Sequence, residues 1–112
     1  MADDDKDEIQ RAFERVRTFG WAEQKRQSNL RVHRIDFRDV TGIFDGYTFI
    51  RRSDRDDETR YEIFGIVSGR EIAVVCTLDD ARCWFISARR ASRKERQEYH
   101  SRSAGRRLEG KD

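Results

Sequence analysis

Phe85-Ile86-Ser87-Ala88-Arg89-Arg90-Ala91-Ser92-Arg93-Lys94-Glu95-Arg96-Gln97-Glu98-Tyr99 decides the fold, because an apolar, β-prone run passes directly into a basic helical one. Ser92 and Glu95 form an S-x-x-E capping box, in which the serine oxygen accepts from a first-turn amide and the carboxylate reaches back to the cap. The helix is therefore expected to begin at Arg93. On helical spacing Arg93, Arg96 and His100 share one face, and Arg89 at the end of the strand points into the same neighbourhood. Such a grouping is suited to gripping phosphates.

Upstream of this handover the periodicity is that of strands. Tyr47 to Arg52, Arg60 to Val67, Glu71 to Leu78 and Arg82 to Ala88 read as four strands. Ser68-Gly69 and Asp79-Asp80 make tight turns between the last three, which favours an antiparallel meander. Before Asp45-Gly46 the period is helical. Ile9, Phe13 and Val16 mark a first amphipathic helix over Asp5 to Thr18, stopped by Gly20. Trp21, Lys25, Asn29 and His33 recur every fourth residue and give a stripe along a second helix, Glu23 to His33. Asp36 caps a short third helix, Phe37 to Phe44, weakened by Gly42. The expectation is an α+β domain with N-terminal helices, a four-stranded, mostly antiparallel sheet and a basic C-terminal helix. It divides into an acidic helical extension (1–18), a main domain (19–100) and a polar tail (101–112) that frays.

With 112 residues the chain has room for one core. Charged residues reach 41%, a level that suggests disorder when one sign dominates, but 24 Lys+Arg against 22 Asp+Glu leave a net charge of only +2. The signs are segregated. Asp3, Asp4, Asp5, Asp7 and Glu8 crowd the start, whereas Arg89, Arg90, Arg93, Lys94, Arg96, Arg102, Arg106 and Arg107 load the end, which suits an anionic partner. No apolar run is long enough to span a bilayer, and the acidic start is unlike a signal peptide, so the cytoplasm is the expected location. Cys76 and Cys83 have no metal-ligand spacing and read as buried, reduced thiols.

No Gly-rich phosphate loop, metal cluster or nucleophile elbow is present, and no cofactor is expected. Chemistry must then come from scattered acids, bases and arginines. RNA cleavage needs only that the 2′-hydroxyl be aligned and deprotonated and that charge on the phosphate oxygens be neutralised, the last a task for arginine. Arg60 stands at the start of one strand beside Glu58 and Tyr61, and Arg89 at the end of another. Were those ends to adjoin, a phosphate would fit between them. The ordinary alternative for each arginine is a solvated charge or an ion pair. His33 is a candidate base near neutral pH, and Lys25 and Asn29 are candidate RNA contacts or simply the polar edge of their helix. Trp21 reads as core packing.

Taken in order, these pieces resemble the BrnT family of type II toxins, small ribonucleases related in fold to RelE. The resemblance runs from about Phe19 to Tyr99. It rests on Trp21-x-x-x-Lys25-x-x-x-Asn29-x-x-x-His33, on Ile43-Phe44-Asp45, on Glu58-x-Arg60-Tyr61-x-x-x-Gly65, and on Ile86-Ser87-Ala88-Arg89-x-Ala91-x-x-x-Glu95-Arg96-x-x-Tyr99. It implies a cytoplasmic toxin that cleaves RNA without metal to slow translation, held inactive by a DNA-binding, BrnA-like antitoxin whose complex binds operator DNA. Carried onto this chain, it assigns phosphate binding to Arg60 and Arg89. Arg93, Arg96 and Asn29 then contact RNA, and Lys25, His33, Glu58 and Tyr61 are candidates for proton transfer or positioning. Two positions depart from the family pattern: Ala22 replaces the usual capping aspartate, and Arg34 replaces the usual glycine. A toxin-like fold that binds RNA or a partner without cutting is the alternative reading.

Overall fold

The computed structural model describes residues 2–109, with side chains over residues 8–105. In chain order the elements are α1 (Ala2–Glu14), β1 (Thr18–Gly20), α2 (Glu23–His33), α3 (Phe37–Val40), a 3-10 turn (Thr41–Asp45), β2 (Phe49–Arg52), β3 (Tyr61–Val67), β4 (Arg70–Asp79), β5 (Arg82–Arg90) and α4 (Arg93–Glu109). The sheet has five strands rather than four, in the order β1-β5-β4-β3-β2. The additional strand is β1, which runs parallel to β5 and pairs Thr18, Phe19 and Gly20 with Arg82, Cys83 and Trp84. Three residues are too few to show an alternation, so this strand exists through its pairing and not through its pattern. All other neighbouring strands are antiparallel.

Helix boundaries differ from expectation at three places. α1 ends at Glu14 and not Thr18. α3 stops at Val40 and tightens into the 3-10 turn that contains Gly42. The basic helix α4 begins at Arg93 as the capping box requires, but it continues past Tyr99 to Glu109. The side chains of Asp3, Asp4, Asp5, Asp7, Arg106 and Arg107 lie outside the described residues.

Two apolar layers hold the sheet. On one face Ile63, Val74, Cys76, Cys83, Phe85 and Ala88 meet Phe37, Val40 and Ile43 from the α3 region and Phe13 from α1. Phe37 and Phe85 are fully buried, and Trp21 stacks on Phe85 at 6.0 Å with rings 5° from parallel. Burial of each such side chain contributes about 1.5–3 kcal/mol. Gly65 in β3 permits the 3-10 turn to approach closely, since a Cβ there would lie 2.7 Å from Ile43 Cγ1. Cys76 and Cys83 are buried and unbridged. The adjacent Cys83 and burial push the Cys76 thiol up, which keeps it protonated and unreactive.

The opposite face carries a smaller layer of Phe49, Phe64, Ala73 and Tyr99. Phe49 and Phe64 stack at 4.6 Å, and the Tyr99 hydroxyl donates to the Tyr47 carbonyl at 2.7 Å. α4 supplies Tyr99, so it covers only this end of the face. Val75, Trp84 and Ile86 are half-buried and belong to neither layer.

Candidate active site

A break in register decides what faces the uncovered part of the sheet. Val75 pairs with Ser87, but the next residue of β4, Cys76, pairs with Phe85, which makes Ile86 the extra residue of a β-bulge. A bulge reverses the alternation downstream of it. Cys83 and Phe85 point into the larger layer, Ala88 points there too, and Arg89 is thereby turned onto the α4 face. Were Ile86 held in the regular alternation instead of bulged out, Arg89 would share the face of Phe85 and enter the buried layer.

Arg89 instead meets two carboxylates. Its guanidinium donates bidentately to Glu95, Nη1 to Oε1 at 2.8 Å and Nη2 to Oε2 at 2.9 Å, and Glu62 Oε2 lies 3.7 Å from Nη2. Arg51 completes the group: its Nε donates to Glu62 at 3.1 Å, its Nη2 is 3.9 Å from Glu95, and its guanidinium lies over the Phe64 ring. The cross-strand pair Arg51↔Glu62 sets this geometry. Arg89 and Arg51 remain 39% and 49% exposed, so both can meet a ligand, whereas Glu62 and Glu95 are 16% and 15% exposed.

Glu95 has a second duty. It accepts from the Ser92 amide at 2.8 Å while its own amide donates to Ser92 Oγ at 3.2 Å, so the capping box is formed as read. The Arg89 guanidinium and the Ser92 amide hold the Glu95 carboxyl down at about 2, and Glu95 in turn raises Arg89. The pair is therefore charged at neutral pH and remains so into the acid range.

β5 is also held from its outer side. Asn29 is buried; its amide nitrogen donates to the Ile35 carbonyl at 2.9 Å and its oxygen accepts from the Ala88 amide at 2.9 Å. Both ends are engaged inside the protein, which corrects the expectation that Asn29 contacts RNA. It fixes the strand one residue before Arg89.

The remaining expected residues divide clearly. Arg60 and Arg89 do not stand at adjoining strand ends. β3 and β5 flank β4 and run parallel to each other, with Arg60 before the start of one and Arg89 near the end of the other. Tyr61 pairs with Cys76 and Arg89 with Ala73, a difference of three residues along β4, or about 10 Å. Arg60 continues the alternation on the Glu62 side and pairs with Glu58 at 2.7 Å. Tyr61 faces the other way, with its ring edge-on to Phe13 at 5.3 Å, so it is a core residue and not a group beside Arg89. Lys25 and His33 are exposed on α2, and no hydrogen bond or ion pair joins them to the Arg89 group. Arg96 donates to the Ala91 carbonyl at 2.8 Å and pins the corner between β5 and α4, and His100 pairs with Glu71; neither converges on Arg89. Arg93 is exposed at the first turn of α4. α1 packs through Phe13 on the face opposite to Arg89 and serves as a cap on the core. Sequence reading passed over Arg51 and Glu62 and saw in Glu95 only a cap. Among the described residues, no three His, Cys, Asp or Glu side chains come together, and no helix is long and apolar enough to cross a membrane.

Comparison with known proteins gives this arrangement its class. Residues 21–95 match a family described as "Ribonuclease toxin, BrnT, of type II toxin-antitoxin system". The chain belongs to the BrnT family, a class that acts on RNA and is paired with an antitoxin. The crystal structure of the Brucella abortus ribonuclease toxin BrnT is similar, with 28% identity and a TM-score of 0.53 over 70% of this chain and 100% of that one. No curated protein matches the sequence. α1 and β1 precede the matched residues.

Proposed function

We propose that this chain is an endoribonuclease that cleaves RNA through its 2′-hydroxyl without a metal ion, with Arg89 as the phosphate-binding group. The observation that carries this reading is the half-exposed Arg89–Glu62–Arg51 array on the sheet face that α4 leaves uncovered. A phosphate taking its place against Arg89 and Arg51 receives forked donors that stay charged, in a geometry built before the substrate arrives. Glu62 is then the carboxylate placed to take the 2′-hydroxyl proton as that oxygen bonds to phosphorus. The bond to the 5′-oxygen breaks, that oxygen takes a proton from water, and the products carry a 2′,3′-cyclic phosphate and a 5′-hydroxyl. Glu95 orients Arg89, while Arg60 and Arg93 track the RNA backbone. In the cell this activity slows translation in the cytoplasm. A BrnA-like antitoxin neutralises the toxin and carries the complex to operator DNA, and the scaffold corresponds to that of RelE-like toxins.

End-labelled RNA incubated with purified protein in EDTA tests the reading. Cleavage is expected to persist and to leave cyclic or 3′-phosphate ends, and Arg89→Ala is expected to lower its rate by about a hundredfold or more with the fold retained. Chelator-sensitive cleavage overturns the metal-free mechanism, and near-normal activity of the variant places the site elsewhere. RNA that is bound but left intact by the wild-type protein would make the chain a binding module.

A further inference from the structure

The uncovered sheet face holds a second feature beyond the Arg89 group. Gly20 of β1, Trp84 of β5 and Thr77 of β4 form one cross-strand row on this face, and Arg82 lies on the same side of β5 as Trp84. The Arg82 guanidinium carbon sits 4.6 Å from the centre of the Trp84 ring. Gly20 makes room for that arrangement, because a Cβ at this position would collide with the Arg82 guanidinium. Trp84 is half-buried between the fully buried Cys83 and Phe85, yet it contributes to neither apolar layer. An indole kept on the surface, layered with a planar cation and bordered by Val75 and Ser87, is the chemistry that receives a nucleobase.

Its place relative to Arg89 follows from the strand. Trp84 and Arg89 face the same side of β5 with one bulge residue between them, four regular steps or about 13 Å apart. A short piece of single-stranded RNA covers that distance. The space above Gly20 is taken by the Arg82 guanidinium, so a base meets the layered pair of guanidinium and indole rather than a bare ring.

We infer that the Arg82–Trp84 pair is a stacking subsite for one nucleobase of single-stranded RNA, flanking the phosphate held at Arg89. Trp84 supplies the ring, and Arg82 adds a stacking plane and a positive charge beside the RNA backbone. The subsite rests on the ribonuclease reading for its substrate class, but not on catalysis. It concerns binding, and binding is measured separately.

A fluorescent RNA oligonucleotide with 2′-O-methyl groups, which cannot be cleaved, is titrated against the intact protein and its Trp84→Ala and Trp84→Phe variants, with folding checked by circular dichroism. The alanine variant is expected to bind about tenfold more weakly or worse, the phenylalanine variant is expected to retain most of the affinity, and the salt slope of W84A is expected to match that of the wild type because no charge is lost. With a cleavable RNA, KM should rise in W84A while kcat changes little. Equal affinity of W84A and the wild type, or an equal loss in W84F and W84A, overturns the subsite. Wild-type cleavage accompanied by unchanged W84A binding would leave the ribonuclease reading standing and remove only the subsite. Absence of cleavage with the expected W84A binding loss would do the reverse.

Discussion

Arg34 closes α2 in the left-handed region, at φ 61 and ψ 30, with its amide donating to the Leu30 carbonyl at 3.0 Å. This conformation is free for glycine and costs other residues about 1–2 kcal/mol, so Arg34 is strained where the family pattern has glycine. Arg34→Gly is expected to stabilise the protein by roughly 0.5–1 kcal/mol, offset in part by the greater freedom of glycine in the unfolded chain, and to raise Tm by a few degrees. Thermal unfolding at neutral pH checks it; an unchanged or lower Tm would mean that the Arg34 side chain contributes more than its backbone costs. The other end of α2 shows the same legibility, for Ala22 makes no side-chain cap. At this scale the sequence was readable because caps and left-handed ends are local events, decided by one residue and its neighbours.

β5 and its supports show where that legibility stops. Asn29 reaches across 59 residues to bond the Ala88 amide, and its loss leaves that amide and the Ile35 carbonyl unpaired inside the protein. Asn29→Ala is expected to cost about 2–4 kcal/mol in urea unfolding and to lower kcat under conditions where the variant remains folded, because β5 is no longer fixed beside Arg89. Lost stability with wild-type kcat would restrict Asn29 to the scaffold. The handover from β5 to α4 could be read from local signals, the apolar run and the capping box. The bulge could not: Trp84 and Ile86 are as apolar as Cys83 and Phe85, so the alternation gives no sign of where the strand changes face. The pairing of Arg51 with Glu62 was equally silent. It depends on the β2–β3 hairpin, whose turn places Asp56 and Asp57 at φ 52 and 65 without the glycine that announces such turns. Glu95 was visible as a cap, and its meeting with Arg89 follows only once the bulge has chosen the face.

At the scale of the molecule, two carboxylates among the described residues are held far below their ordinary values. Asp36 is lowered to about 2 by Arg38, with the Arg38 amide and Arg26 adding to the effect, and it joins α2 to α3; Glu95 is lowered to about 2 at the β5–α4 corner. A carboxyl more acidic folded than unfolded contributes stability that is complete above about pH 4–4.5 and declines as pH falls toward 2. The Tm of the wild type is therefore expected to fall over that window, and the double variant Asp36→Asn, Glu95→Gln to start lower at neutral pH and to fall less steeply. Parallel curves would place the acid sensitivity in other groups. A further consequence lies in Glu95 itself, since one carboxylate both starts the last helix and aims the arginine on which cleavage is proposed to depend. Fraying of that helix and misalignment of Arg89 become one event rather than two. A collection of harmless variants of this toxin would then include changes at Ser92, whose amide and hydroxyl bond to Glu95, and their loss of toxicity would report the anchoring of a helix.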